Sequence, residues 1–304
     1  MFPKNLTLFR FPALSASVPD ALEGLLSENA LRPVGPLELS TRGFVSPFGR
    51  ESEGYTCGID GAYWIAVGGE DRLLPGAVVN DLLQKKLDEI EMREGRRPGG
   101  RTRKRLKDEL ITELLPRALV RPSRVDAVID FQTGVVAVDT ASRRAAEAVV
   151  SEIRRALGSF PALPLNAEVA PRAVLTGWIA GEALPDGLSL GDECELRDAL
   201  DQGAVVKCQR MELQGNAEID KHLQSGKQVT RLALELDDHS SFVLGEDLVV
   251  RKFRLLDGAI EALESTERED LRTDLEARFT LASHELRRVF AVLESALQLS
   301  RPEA

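Results

Sequence analysis

Thirteen basic residues fall between Lys85 and Arg124 against seven acidic ones, in a chain of 304 residues with a formal charge of -10 at pH 7. Twenty-six bases and 42 acids remain elsewhere, so this segment is a basic island on an acidic protein. The chemistry open to such an island is phosphate binding, in which Lys and Arg displace the counterions of a polyanion. Nine of the thirteen are arginines, whose planar fork is the better phosphate ligand. The densest run is RRPGGRTRKR, residues 96–105, and Arg117, Arg121 and Arg124 carry the charge onward. No aromatic residue interleaves it, so no stacking platform for unpaired bases is present. Backbone contact to duplex DNA without sequence readout is what this composition permits. The plainer reading is a solvated loop, compensated by Glu89, Glu91 and Glu94 beside it.

Residues for catalysis are few. The three histidines, His222, His239 and His284, are widely spaced and form no HxH or HExxH pattern, and neither GxGxxG nor GxxxxGK[ST] occurs. No metal and no cofactor are therefore expected. Scattered carboxylates could hold Mg²⁺ for a nuclease, and the best candidates are Asp237-Asp238 and the pair Asp126 and Asp130. They read more simply as a hairpin turn, Asp237-Asp238-His239-Ser240, and as the solvated face of a half-buried strand. Cys57, Cys194 and Cys208 show no CxxC spacing, which speaks against a disulfide framework or a zinc site, and they are expected to be reduced and inert.

These residues sit on a pattern of mixed α and β elements. Strands are expected at Leu6 to Phe11, Gly43 to Val45 and Ala62 to Val67, with a short helix over Pro19 to Asn29. From Ala77 the period becomes helical: Val79, Leu83, Leu87 and Ile90 make one stripe, and Leu106, Leu110 and Leu114 a second. Gly95, Pro98, Gly99 and Gly100 break the helix, so the segment predicts a projecting helical hairpin with RRPGGRTRKR as its turn. Val125 to Phe131 alternates, turns at Gln132-Thr133-Gly134 and returns over Val135 to Asp139. A helix follows over Ser142 to Leu157, and Pro161, Pro164 and Pro171 mark a boundary. Beyond it, strands at Ala204 to Met211, Val229 to Leu236, Phe242 to Leu244 and Leu248 to Phe253 surround a helix over Ala217 to Gln224.

The chain ends on a long helix. Thr266 to Glu269 has capping-box spacing, and Leu275, Phe279, Ala282, Leu286, Val289 and Leu293 follow at heptad intervals. That stripe fits either packing on its own domain or a seam between two copies. The parts expected are a central region over 1–75 and 117–165, a tip over 76–116, and a base over 166–304. The fold class is α/β of the α+β type, with mixed, largely antiparallel sheets. No run of 18 uncharged apolar residues and no secretory h-region is present, so a cytoplasmic protein is expected, with no membrane partner.

An ordered set of segments resembles a known family. Lys4-Asn5-Leu6 with Arg10, the run from Gly43 to Gly49, Leu73-Leu74-Pro75, Lys107-Asp108-Glu109, Leu114 to Ala118, Leu157-Gly158-Ser159 with Pro161 and Pro164, and Gly226-Lys227 with Val229 to Leu234 together resemble the bacterial RdgC family from end to end. Two features differ from its usual pattern: Leu119 stands where an aromatic residue is frequent, and Pro98-Gly99-Gly100 interrupts the tip. The resemblance implies a homodimer closed into a ring around double-stranded DNA, nucleoid-associated, that limits RecA activity in homologous recombination without being an enzyme. With it, the candidate DNA contacts are Lys4, Arg10, Arg96, Arg97, Arg101, Arg103, Lys104, Arg105, Lys107, Arg117, Arg121 and Arg124, and the helical stripe is the candidate dimer seam. A metal-dependent nuclease and a protein-binding regulator with a solvated basic loop are the alternatives.

Overall fold

The structure, a computed structural model, describes residues 3–13, 17–49, 52–198, 204–264 and 271–301. Its first half runs β1 (Leu6–Arg10), α1 (Ser17–Glu28), β2 (Ser40–Val45), β3 (Cys57–Ile59), β4 (Ala62–Leu73), α2 (Gly76–Glu94), α3 (Gly100–Leu114), a 3₁₀ turn (Leu115–Arg117), β5 (Leu119–Asp130), β6 (Val135–Asp139) and α4 (Arg143–Leu157). The second half runs β7 (Leu163–Pro164), α5 (Pro171–Ile179), β8 (Leu188–Asp198), β9 (Val205–Gln209), α6 (Ala217–Gln224), β10 (Lys227–Leu236), β11 (Ser240–Gly245), β12 (Val250–Leu255), α7 (Asp257–Glu264) and α8 (Leu271–Leu297). The chain is of the mixed α and β class, with a large antiparallel sheet and a long C-terminal helix. It divides into two compact units, one of Met1–Glu28, Ser46–Ala66 and Val125–Ala304, the other of Asn29–Val45 and Val67–Arg124.

In the first unit the strand order is β5-β6-β1-β12-β11-β10-β8-β9. The expected hairpin forms between β5 and β6, with Ala127 opposite Val138 and Asp130 opposite Val135. Its turn needs glycine: Gly134 has φ 68°, and a Cβ there would stand 2.6 Å from the Phe11 carbonyl oxygen. Helices α4 and α6 begin where side chains cap them, Ser142 Oγ accepting from the Ala145 N–H at 3.3 Å and Asn216 Oδ1 from the Glu218 N–H at 3.0 Å. Pro171 starts a helix instead of marking only a boundary, since proline fits the first helical turn. Helix α5 and strand β8 escape sequence reading for different reasons. The first is short, with Arg172 and Thr176 too few to mark a polar face, and the second carries Gly191 and four acidic side chains along its length.

The core of this unit gathers the inward faces of the central strands, among them Leu232, Leu234, Phe242, Leu244 and Phe253, against Trp178 of α5 and Val289, Phe290 and Leu293 of α8. Phe279 of α8 joins a smaller cluster with Cys57, Ala62 and Trp64, its ring 6.1 Å from that of Trp64. The helical stripe thus packs within the single chain. Phe279, Ala282, Val289 and Leu293 are buried in the single chain, and Leu275 and Leu286 are half-buried against the same clusters. The buried face also takes in Ser283, Glu285, Phe290 and Leu297, wider than the narrow seam of a coiled coil. Of the two readings of the stripe, packing on its own unit is the arrangement found. The capping-box residues Thr266 to Glu269 lie outside the described residues.

The second unit holds β2, the later half of β4 and the earlier half of β5 as neighbouring strands, together with α2 and α3. Gly43 on β2 lies so close to the chain at Ala30 and Leu31 that a Cβ would stand 2.6 Å from Leu31 Cα.

The three thiols are free and buried, Cys194 opposite Cys208 across β8 and β9. Burial pushes the Cys57 thiol up to about 11 and the Cys194 thiol up to about 12. An aromatic disulfide reagent at pH 8 should therefore react slowly with the native protein and titrate all three thiols only after unfolding. For the stripe, Leu293→Ala should lower the free energy of urea unfolding by about 2–5 kcal/mol, the cost of emptying a fully packed core position.

Candidate nucleic-acid interface

Helices α2 and α3 form the expected hairpin, closed by Leu83, Leu87 and Leu110 with Leu82 and Leu106 packed on them. Helix α2 stops at Gly95, which takes φ 69° and donates its N–H to the Glu91 carbonyl at 2.8 Å, a left-handed cap open to glycine at no steric cost. The turn is shorter than the sequence suggests. Only residues 95–99 lie between the helices, and Arg101, Arg103, Lys104 and Arg105 wind into α3, because Arg and Lys are good helix formers once past the glycines.

The first two turns of α3 therefore carry Arg101, Arg103, Lys104, Arg105 and Lys107, all exposed, before the first acid at Asp108. Arg96 and Arg97 in the turn are exposed as well. Arg97 lies 3.8 Å from Glu91 and 4.0 Å from Asp88, and Arg105 lies 3.4 Å from Glu109. Among the described residues, Arg96, Arg101, Arg103, Lys104 and Lys107 take part in no ion pair. Glu89, Glu91 and Glu94 belong to α2, so the compensation that a solvated loop would need falls short at α3.

The base of the hairpin is fixed by a residue that sequence reading missed. Arg72, at the end of β4, donates from Nη1 to the carbonyls of Leu115 (2.8 Å) and Ala118 (3.3 Å) and from Nε to that of Gly35 (3.2 Å). A guanidinium is well suited to the orphan carbonyls at a helix C-terminus, but its sequence context, between Asp71 and Leu73, signals only a strand. Arg117 in the 3₁₀ turn and Arg121 and Arg124 on β5 are exposed in this unit, and Arg121 lies 3.7 Å from Asp71.

Lys4 and Arg10 belong to the first unit. Lys4 is exposed, its backbone N–H bonded to Asp139 Oδ1 at 2.9 Å. Arg10 is committed to the interior. Its guanidinium lies 2.6 Å from Glu294 and 5.4 Å from the centre of the Phe290 ring, with 12% of the side chain exposed. Buried behind that pair, it is poorly placed to meet a phosphate.

The carboxylates weighed for metal-dependent chemistry have structural partners. Asp126 accepts from Trp64 Nε1 at 2.9 Å, and buried Asp130 accepts from Arg287 Nε at 2.6 Å and from the N–H of Gln132 at 2.9 Å. The second face of β5 is thus covered by α8 and is not solvated as its alternation suggests. Arg287 also reaches Asp60 at 2.7 Å, and this bond holds the Asp60 carboxyl below its ordinary value. Asp237 and Asp238 form the β10–β11 turn, both with positive φ, and Asp237 pairs with Arg288. Among the described residues no group of three or more His, Cys, Asp or Glu side chains is arranged to hold a metal ion.

Fold and site together define a mixed α and β protein that carries a cluster of exposed positive charge on a helical hairpin. A family model described as "Putative exonuclease, RdgC" matches residues 1–300. Curated relatives named recombination-associated protein RdgC align over the full length of both chains, at 63% identity in Xanthomonas oryzae pv. oryzae (strain MAFF 311018), 62% in Xanthomonas campestris pv. campestris (strain B100) and 58% in Stenotrophomonas maltophilia (strain R551-3). The chain belongs to the RdgC family of recombination-associated proteins. No helix among the described residues is long and apolar enough to cross a membrane.

If Asp130 is a structural partner of Arg287, Arg287→Ala leaves a buried carboxylate without its cation. The expected loss is about 3–5 kcal/mol of unfolding free energy, read by urea denaturation.

Proposed function

We propose that this protein binds double-stranded DNA through the phosphate backbone, without reading its sequence, by the basic hairpin of α2 and α3. The observation that carries this reading is the five exposed cations on the first two turns of α3, four of them held in no ion pair among the described residues. A phosphate backbone offers regularly spaced negative charge to such a helix, and Arg and Lys there meet it through charge-assisted hydrogen bonds. Family membership supports a role in recombination; the wider reading we propose with it is a nucleoid-associated cytoplasmic protein that works as a homodimer closed as a ring around DNA and restrains RecA. Arg117, Arg121 and Arg124 continue the exposed bases beyond the hairpin, as a lining for DNA requires.

The reading is non-enzymatic. The description of the family model favours an exonuclease instead, and the carboxylates available for it are Asp126, Asp130, Asp237 and Asp238. The first three are engaged with Trp64, Arg287 and Arg288, which supports a structural role for them.

Replacing Arg101, Arg103, Lys104 and Arg105 together with Ala should weaken binding to all duplex sequences about equally. It should also reduce the slope of log K against log salt by up to about 3.6, at roughly 0.9 per phosphate contact. An unchanged affinity and slope in a folded variant would place the DNA elsewhere. Incubation with Mg²⁺ or Mn²⁺ should leave linear and supercoiled DNA intact, and cutting abolished by Asp237→Asn with Asp238→Asn would establish the nuclease.

A further inference from the structure

A second cluster of cations lies in the first unit, on β8, β9, β10 and β12. Glu195 of β8 has 7% of its side chain exposed, and three cations converge on it. Arg197 donates to its Oε1 from Nε at 3.0 Å and from Nη2 at 2.9 Å, Arg231 lies 3.4 Å from Oε2, and Lys207 lies 3.8 Å from Oε2. Burial raises the Glu195 carboxyl, but the Arg197 bonds and the charges of Arg231, Arg197 and Lys207 outweigh it and hold it below its ordinary value. It stays ionised, and one negative charge serves three positive ones.

The surplus faces a cavity of about 230 Å³. Lys207, Arg231, Arg251 and Lys252 line it against two carboxylates, Glu193 and Glu195. Lys252 is bonded to Glu193 at 2.6 Å, and Arg251 is paired with Asp247, so these two are neutralised. Lys207 and Arg231 are compensated less: among the described residues both share the single Oε2 of Glu195, Arg231 through one long hydrogen bond from Nη1 at 3.4 Å and Lys207 at 3.8 Å, while Arg197 holds Oε1 twice. Their side chains are 65% and 42% exposed, so their remaining donors are accessible. On a chain with a formal charge of -10, two under-compensated cations beside one small cavity call for an anion.

We propose that this cavity is a binding site for a phosphate group, held between Lys207 and Arg231. The size decides the class, for the cavity is below the roughly 300–1,000 Å³ of pockets that take a whole drug-sized ligand and suits a single tetrahedral anion. The phosphate belongs either to a DNA backbone or to a free phosphate compound. The site does not rest on the hairpin reading, since it uses other residues in the other unit.

The test is a titration of the full-length protein with inorganic phosphate, followed by calorimetry and by ³¹P NMR at low ionic strength. The parent should bind, and Lys207→Ala with Arg231→Gln should weaken binding by at least about tenfold, the loss of one charge-assisted bond or more. Lys207→Gln, which removes the charge at an exposed position without setting a like charge opposite Glu195, should weaken binding on its own and serves if the Arg231 change perturbs the fold. The hairpin variant should bind phosphate like the parent, which separates this site from the hairpin. If duplex DNA displaces phosphate and the Lys207/Arg231 variant loses roughly 1 to 2 from the salt slope of duplex binding, the source is the DNA backbone. If phosphate binding is lost with an unchanged duplex slope, the source is a free phosphate compound. A parent that binds no phosphate at up to about 10 mM, or variants that bind it like the parent, would overturn the site.

Discussion

Mutual repulsion of five cations at the start of one helix is the constraint around which the hairpin is built. The N-terminus of a helix already carries partial positive charge, and cations there are unfavourable by about 0.3–1 kcal/mol each. Arg101 with Arg105 and Arg103 with Lys107 are like-charge pairs at i,i+4, costing about 0.2–0.5 kcal/mol per pair. No acid stands in the first turn and no side chain caps it. What holds the helix is a narrow seam of leucines, the cross-helix pair of Lys86 with Glu113 at 3.2 Å, and Arg72 on the carbonyls at its far end. A polyanion would relieve the repulsion, so the proposed binding would also stabilise this helix.

The same residue type does opposite work elsewhere. Arg10, Arg72 and Arg287 are spent on internal partners: a glutamate, a set of carbonyls and a pair of aspartates. Arg72 and Arg287 satisfy groups that burial would otherwise leave unpaired, while Arg10 is held by Glu294 with its Nη1 buried and without a hydrogen-bond partner among the described residues. Arg101, Arg103 and Lys104 have no such partners, and Lys207 and Arg231 share one between three. Whether a base binds outward is decided by the carboxylates and carbonyls around it, not by its position in a basic run.

That distinction explains how far the sequence could be read. The hairpin was legible because two leucine stripes and a glycine-proline break are local signals, and so was the β5–β6 hairpin, whose alternation flanks a glycine turn. Arg10 was not, because its partner Glu294 is far away in sequence and nothing local marks the arginine as buried. Asp130 was misread as solvated because alternation reports one covered face of a strand, while α8 covers the other. The heptad spacing from Leu275 to Leu293 fits two environments equally, and only the packing of Phe279 on Trp64 and of Leu293 in the main core distinguishes them. Arg72 and Glu195 carry no motif at all, since their roles come from strands brought together by the sheet.

The most direct test of the central claim is backbone amide hydrogen exchange of the full-length protein with and without a duplex of arbitrary sequence. Coupling between phosphate binding and the strained start of α3 predicts slower exchange over residues 100–107 when DNA is bound, with the protection fading as salt is raised. Bound DNA that leaves exchange over those residues unchanged, while protecting amides elsewhere, would contradict it.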